Sequence, residues 1–244
     1  MYLKQNRKVS YLWIPNAAYK NTWDYQESLL NYIVDIKIQN RNHNTSIPTP
    51  NFLIFCEHNH VYTLGKSGNK NHLLLSEEDC KHLGIEFFPI NRGGDITYHG
   101  KGQLVVYPIF DLENFQTDLN VYLRNIEEVI IQTIKNFGIE GQRIKGLTGV
   151  WVDIEKNPRK IAAIGIRCSR WVSMHGLALN VNTDLSYFQN IVPCGISDKE
   201  VTSMERELGK TLNFEEVIEV MKHKFSEIFD FEWVHDNFPI VYSS

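Results

Sequence analysis

Three strand-like runs follow one another between residues 149 and 181, and they constrain the fold more than any other feature of the chain. They read GVWVDI at 149–154, KIAAIGIRC at 160–168 and HGLALNV at 175–181. Apolar and β-branched runs bounded by turn-forming residues are typical of β-strands. The first two predict a hairpin around the turn EKNPR, and we expect the third to extend it.

The sequence predicts amphipathic helices on both sides of these strand-like runs along the chain. Apolar residues recur at helical spacing from about 17 to 39, from about 118 to 137 and near 214–229. Asp118 and Asn213 are placed to cap the second and third of these helices, and Gly138 follows the second as a stop signal. The run Ser76-Glu77-Glu78-Asp79 has a capping-box pattern and predicts a short helix.

Further strand-like runs lie at 52–57, 60–64, 85–90 and 103–110, and the polar segment 40–51 is typical of a surface loop. Central strands flanked by helices predict an α+β fold, with the helices packed on a mixed, mainly antiparallel sheet. We expect one catalytic domain over 1–244. A small additional C-terminal lobe from about 200 is the alternative.

Composition excludes several classes of protein. The formal net charge is −4, with 43% hydrophobic and 22% charged residues, so neither nucleic acid nor an anionic membrane is indicated as a partner. The N-terminal MYLKQNRKVSYLWI lacks the apolar core of a signal peptide, and apolar runs such as IAAIGI are too short to cross a bilayer. We expect a cytoplasmic enzyme.

The four cysteines are widely spaced and form no CxxC pair, so neither a zinc ribbon nor a disulfide framework is expected. Cys56, Cys80 and Cys168 fit the packing role that is common for this residue. Cys194, in IVPCGI, lies between a proline and a glycine. Turn-forming neighbours display a side chain, so a reactive thiol and a packing residue are both open interpretations.

The segment RGGDITYHGKGQLVVYPI at 92–109 places four glycines before a strong strand and matches neither a Walker A loop nor a Rossmann fingerprint. It is either a glycine turn between strands or a backbone that approaches a ligand closely. In the second interpretation Arg92 could meet an anion and His99 could donate a hydrogen bond.

Lys160 begins the second central strand and is either a solvated strand end or a base turned toward an apolar pocket. Small residues at Ala162, Ala163 and Gly165 leave room beside this strand for a long, thin ligand. His175 fits a structural hydrogen-bonding role. A metal site from Cys56, His58 and His60 is disfavoured, because no further ligand completes a tetrahedral set.

Three motifs together resemble the lipoyl(octanoyl) transferase family. They are YTLGK at 62–66, RGGDITYHGKGQLVVYPIFDL at 92–112, and the segment 160–196 that contains KIAAIGIRC, MHGLALNV and IVPCGI. Their order and spacing carry the resemblance, which covers about 50–205. It implies a fold similar to the catalytic fold of biotin and lipoate protein ligases.

The resemblance also implies a chemistry. It assigns Cys194 as the acyl-thioester nucleophile and Lys160 as the residue that makes this thiol more acidic. It implies neither a cofactor nor a metal. The residues expected to cradle the octanoyl substrate are Arg92, Gly93, Gly94, Asp95, Ile96, Thr97, Tyr98, His99, Ala163, Ile164, Gly165, His175, Gly176 and Leu177.

The implied donor is octanoyl-acyl carrier protein, and the implied acceptors are lipoyl domains of 2-oxoacid dehydrogenase complexes and the glycine-cleavage H protein. An excess of basic residues over 141–170 would suit an acidic carrier, although a solvated positive face explains it too. Alternatives are an ATP-dependent lipoate or biotin ligase, transfer between two carried proteins, a silent scaffold that binds an acylated carrier, and a Cys–His hydrolase with His99 or His175 as base.

Overall fold

One large mixed sheet forms the centre of the fold. In a computed structural model that describes residues 5–192, 200–234 and 238, the strands are β1 (Lys8–Ala17), β2 (Asn51–His58), β3 (Val61–Leu64), β4 (Glu86–Pro89), β5 (Ile96–His99), β6 (Gln103–Ile109), β7 (Gln142–Ile144), β8 (Leu147–Val152), β9 (Arg159–Ser169), β10 (Val172–Asn180), β11 (Glu200–Val201) and β12 (Glu232–Val234). Nine of them pair in the order β12-β1-β2-β6-β10-β9-β8-β7, with β11 beside β9. Pairing is parallel for β1 with β2, β1 with β12 and β9 with β11, and antiparallel elsewhere in this sheet.

Helices cover both faces of this sheet. The helices of the protein are α1 (Tyr19–His43), α2 (Glu77–His82), α3 (Leu119–Lys135), α4 (Met204–Leu208) and α5 (Phe214–Phe229), of which α2 packs against the small sheet described next. On one face, apolar side chains of α3 and α5 join a core with β2, β6 and β10, including the fully buried Phe55, Ile130 and Phe225. On the other face, Leu29 and Ile33 of α1 pack on a second core. The arrangement is the expected α+β fold.

A smaller sheet, in the order β4-β3-β5, stands beside the large one. β3 pairs antiparallel with β5, and its Leu64 faces Ile96 in the register. The segment 92–95 precedes β5 directly and is tied to the large sheet, where the Gly93 N–H donates to the Ile166 carbonyl at 2.9 Å. The glycine-rich segment therefore bridges the two sheets.

Several elements match the sequence-based predictions closely. Asp118 Oδ1 accepts hydrogen bonds from the N–H groups of Asn120 and Val121 and so caps α3. The capping box at Ser76 and Asp79 is formed at the start of α2. The β8–β9 hairpin and its extension by β10 are antiparallel as predicted.

Other elements were missed or misplaced. β1 was not predicted, because its run is interrupted by Pro15 and its partners β2 and β12 are distant in sequence. β5 was read as part of a glycine-rich loop. α1 continues to His43, inside the predicted loop, and ends where Asn44 adopts a left-handed conformation with φ 51°.

The described residues after 200 do not form a core of their own. Met204 of α4 and Val217 and Met221 of α5 are fully buried in the same core as β2, β6 and β10. Within the described ranges, every helix is too short or too polar to cross a membrane.

Candidate active site

A cavity of about 490 Å³ lies between the glycine-rich segment and strands β9 and β10. All but one of the fourteen residues expected to cradle the substrate line it, as does Lys160. The positions come from 92–99, 163–165 and 175–177. The fold thus brings three segments that are distant in sequence to one space.

Two glycines allow this close approach. A Cβ at Gly165 would lie 2.9 Å from the Gly93 carbonyl oxygen and 3.0 Å from Arg92 Cδ. A Cβ at Gly176 would lie 2.2 Å from the Val106 carbonyl oxygen of β6. A side chain at either position would collide with backbone atoms. Only glycine therefore allows the chain segments to pack this closely.

Arg92 braces the glycine-rich segment against β3. Its Nη2 donates to the carbonyl and hydroxyl oxygens of Thr63 at 2.7 and 2.9 Å, and its Nη1 donates to the Gly93 carbonyl at 3.0 Å. The side chain is buried, with 8% of its surface exposed. These donors face protein oxygens, so the guanidinium holds the cavity wall in shape.

Asp95 links the same segment to the chain that leads toward Cys194. Its carboxylate pairs with His72 Nδ1 at 2.5 Å and accepts the Ile96 N–H at 2.7 Å. The His72 carbonyl in turn accepts the Val192 N–H at 2.8 Å.

His99 is buried, and its Nδ1 contacts Gln103 Oε1 at 2.8 Å. Because Gln103 Nε2 donates to Asn180 Oδ1, the Gln103 oxygen is the acceptor and His99 Nδ1 carries the proton. Burial, reinforced by the neighbouring His58, lowers the pKa of His99 to about 3. The ring is therefore neutral near pH 7 and stacks on Tyr19 at 5.9 Å between centroids.

His175 adopts φ 58°, a left-handed conformation that is unusual for a residue with a side chain. Its N–H donates to Gln26 Oε1 at 2.9 Å, and its Nε2 lies 2.8 Å from Asn91 Oδ1. Burial, and then the charges of Arg92 and Arg167, lower its pKa to about 3. A neutral imidazole is thereby fixed on the cavity wall.

Lys160 is half-buried, and its side chain reaches the cavity. Its backbone pairs with Val201 of β11, and its carbonyl accepts the Thr202 N–H at 2.9 Å. Its Nζ lies 4.7 Å from the centroid of the Trp151 indole. The sequence reasoning did not single out Trp151.

Cys194 lies outside the described residues. On its N-terminal side, Phe188 lines the cavity and Ile191 forms a β-bridge with Leu73. On its C-terminal side, Val201 lines the cavity and pairs with Lys160. The chain therefore borders the cavity both before and after the segment that contains this cysteine.

Tyr98 is the predicted substrate-binding residue that does not line the cavity. Side chains alternate along a strand, so Thr97 and His99 face the cavity while Tyr98 points away. It is fully buried, contacts His60 Nδ1 at 2.7 Å and stacks on Tyr187 at 4.9 Å between centroids. In this structure Tyr98 packs in the core of the small sheet, and its contact with substrate stays a prediction.

The other cysteines and histidines fit packing roles. Burial raises the pKa of the Cys56 and Cys168 thiols, which makes them poor nucleophiles. His58 is buried against Tyr107 at 2.8 Å and Cys56 at 3.4 Å, whereas His60 turns toward Tyr98. No group of three or more metal-ligating side chains occurs among the residues that the structure describes.

Sequence reasoning missed the polar residues that hold the side chains of His99 and His175 in place. Gln103 and Asn180 are buried at the ends of paired strands and orient His99, while Gln26 and Asn91 orient His175. A polar side chain at the end of an otherwise apolar strand, as in LALN at 177–180, was the available signal.

Comparison with known proteins shows the family of this chain. Residues 19–226 match the lipoyl protein ligase A/B catalytic domain family. The chain is 56% identical to the octanoyltransferase of Christiangramia forsetii over 93% of this chain and 98% of that protein. It is 53% identical to the octanoyltransferase of Flavobacterium psychrophilum, over 92% and 98%.

Solved structures show the same fold at low identity. A bipartite lipoate protein ligase from Thermoplasma acidophilum superposes with a TM-score of 0.66 at 16% identity, covering 97% of this chain and 88% of that chain. A lipoate-protein ligase A bound with ATP gives a TM-score of 0.64 at 15% identity, covering 96% and 90%.

Proposed function

Because the chain belongs to the lipoyl protein ligase A/B catalytic domain family, and within it to the octanoyltransferases, we propose that it transfers an octanoyl or lipoyl group from acyl carrier protein to a specific lysine of a lipoyl domain. The transfer passes through a thioester on Cys194, as the first step of endogenous protein lipoylation. One observation carries this proposal. Lys160 reaches a cavity that the chain borders both before and after the segment containing Cys194.

The first half-reaction exchanges one thioester for another. The Cys194 sulfur bonds to the octanoyl carbonyl carbon, and the bond from that carbon to the carrier sulfur breaks. Lys160 takes the proton of the Cys194 thiol and returns one to the departing carrier thiolate. Because both acyl–sulfur bonds have nearly the same energy, the group stays activated and the step needs no nucleotide.

The second half-reaction forms an amide. The acceptor lysine amine attacks the Cys194 thioester, its nitrogen bonds to the carbonyl carbon, and the bond to the Cys194 sulfur breaks. Lys160 accepts a proton from the attacking amine, which becomes nucleophilic as it loses charge. An amide is more stable than a thioester, so this step drives the sequence forward.

The apolar part of the cavity fits an acyl chain. Its wall includes Val105, Leu123, Leu147, Ala163, Ile164, Leu177 and Ala178. Burying each methylene of the chain contributes about 0.8 kcal/mol, so an eight-carbon group gains several kcal/mol of binding energy. The contact of Gly165 with Gly93 brings the β9 wall close to the glycine-rich segment.

The basic segment 141–170 is less available for docking than its composition indicates. Arg143 pairs with Glu127 and Glu128, Arg159 with Asp153 and Glu207, and Arg167 with Glu27. Lys145, Lys156 and Arg170 are not in ion pairs with the described residues. These three are the cations we assign to an acidic carrier protein, which would meet the enzyme in the cytoplasm.

An ATP-dependent ligase is the second candidate, because the superposing lipoate-protein ligase A was solved with ATP. Such an enzyme activates a free acid as an adenylate and uses no cysteine nucleophile. The requirement for ATP therefore separates the two functions.

The test is to incubate the protein with octanoyl-acyl carrier protein, without ATP, and to measure its intact mass. We expect a hydroxylamine-labile octanoyl adduct that disappears in Cys194→Ser and persists in Cys168→Ser, the matched control. Lys160→Ala should slow adduct formation by roughly 10² or more at neutral pH, in the range typical of a general base, whereas Lys145→Ala should not alter the intrinsic rate at saturating carrier.

Persistence of the labile adduct in Cys194→Ser contradicts the thioester. Octanoylation that appears only with free octanoate and ATP identifies a ligase instead. The acceptors are tested by adding a lipoyl domain and the H protein in parallel reactions. The control for each is its variant in which arginine replaces the target lysine.

A further inference from the structure

Trp151 lies directly against the amine of Lys160. The two residues are cross-strand neighbours on β8 and β9, and the Lys160 Nζ is 4.7 Å from the centroid of the indole ring. The Trp151 side chain is 2% exposed, so the ring is held in a fixed place. An ammonium at this distance from an aromatic face is attracted by the ring's quadrupole, and tryptophan gives the strongest attraction of this kind.

The backbone of β8 is shaped to make this contact. The register of β8 against β9 shifts between Val150 and Trp151, which places Trp151 opposite Lys160. Gly149 precedes the shift with φ 122°, and a Cβ there would lie 2.7 Å from the Ala162 carbonyl oxygen and 3.5 Å from Lys160 Cε. The Gly149 N–H donates to Glu127 Oε1 of α3 at 3.2 Å.

Several charged residues around this strand pair form ion pairs with one another. The ion pairs are Arg159 with Asp153 and Glu207, Glu127 with Arg124 and Arg143, and Glu200 with Arg206. Lys145 lies in the turn between β7 and β8. The carboxylates of these pairs are each engaged by an arginine, and the indole is an additional, uncharged partner for the Lys160 ammonium.

We propose that Trp151 is a positioning residue for acyl transfer, whose indole face holds the Lys160 amine at the cavity and attracts the ammonium that forms there. This inference rests on the proposed function, in which Lys160 takes the proton of the Cys194 thiol. That transfer breaks the S–H bond, forms an N–H bond and leaves a thiolate beside an ammonium. Trp151 stabilises the ammonium partner of this pair and thereby increases the fraction of thiolate at neutral pH.

The test replaces Trp151 site-specifically by mono-, di-, tri- and tetrafluorotryptophan. Fluorine withdraws charge from the ring face and changes its shape little, so the series weakens the attraction while packing is preserved. The readout is the pH midpoint of Cys194 alkylation by iodoacetamide, followed by intact mass. We expect the midpoint to rise with each fluorine, by about half a pH unit or more for the most substituted ring.

The same series at Trp171, in the turn between β9 and β10, is the matched control, and its midpoint should not move. An unchanged midpoint across the Trp151 series, with an unchanged melting temperature, overturns the inference.

Lys160→Ala in the unlabelled protein separates this inference from the proposed function. If this substitution raises the alkylation midpoint while fluorination does not, only the role of Trp151 fails. If Lys160→Ala leaves the midpoint unchanged, the proposed partnership of Lys160 and Cys194 fails first.

Discussion

Single residues set the width of the cavity. Gly165 packs against the carbonyl of Gly93. The side chain of Arg92 passes beside the same glycine and donates to the Thr63 carbonyl. The glycine and the arginine therefore form one unit, in which the absence of a side chain on β9 makes space for the guanidinium that braces the neighbouring segment.

Gly165→Ala should disturb this unit. The new methyl would lie 2.9 Å from backbone oxygen and 3.0 Å from Arg92 Cδ, so the glycine-rich segment must move. We expect a loss of stability of about 1–3 kcal/mol, as for other overpacked sites, and a larger proportional loss in the rate of octanoyl adduct formation. Urea unfolding and intact-mass kinetics measure the two effects.

Gly84→Asn is the control for the Gly165 prediction. Gly84 has φ 65° and no atom within 4 Å of a Cβ placed on it, and asparagine tolerates this left-handed conformation. Near wild-type stability and rate in Gly165→Ala would contradict the tight packing described here.

The sequence predicted the residues that line the cavity better than the residues that hold those side chains in place. The motifs around Arg92, Ala163 and His175 are contiguous in sequence, so a match to them is visible without coordinates. Gln103 and Asn180 act through partners on other strands, and only the pairing of β6 with β10 brings them together. Tyr98 differs from its neighbours Thr97 and His99 for a local reason, since it points away from the cavity that they line.

At the scale of elements, helices with both an apolar stripe and a cap were predictable from sequence. α5 spans the predicted range 214–229. Oδ1 of its cap residue Asn213 accepts hydrogen bonds from the N–H groups of Glu215 and Glu216. Both signals are local. β1 and β5 depend on partners far along the chain, which local patterns do not reveal.

The junction of α3 with β7 and β8 provides a test at this scale. The Glu127 side chain is fully buried and accepts hydrogen bonds from Arg124 at 2.6 Å, Arg143 at 2.9 Å and the Gly149 N–H. Glu127→Ala leaves these donors without their acceptor. We expect a loss of about 2–4 kcal/mol in the free energy of unfolding, since removing one partner of a buried pair is costly.

Glu128→Ala is the matched control, because Glu128 is 34% exposed and pairs with the same Arg143. Its expected cost is below about 1 kcal/mol. Equal losses for the two variants, measured by urea unfolding, would show that burial at Glu127 carries no special energy.

The whole molecule should lose stability as the pH falls below neutrality. Burial is the main cause that lowers the pKa of His58 to about 4 and the pKa values of His99 and His175 to about 3. In the unfolded chain these groups titrate near 6.5, so between about pH 6.5 and 4 the unfolded state binds protons that the folded state does not.

Each of these histidines therefore contributes stability that is present above pH 6.5 and is lost on acidification, by up to about 1.4 kcal/mol per pH unit. We expect the free energy of unfolding to drop steeply from pH 7 to pH 5, and His99→Gln to reduce the slope. His223→Gln, at a side chain that is 74% exposed, should leave the slope unchanged.

The position of β1 between β2 and β12 bears on how the protein is made. β2, one partner of β1, follows it closely in the sequence, but the other edge of β1 meets Glu232–Val234, and Arg7 reaches the Phe229 carbonyl at 3.0 Å. Until a ribosome has released those late residues, the nascent polypeptide carries an unpaired strand edge, the kind of surface on which chaperones and aggregation compete.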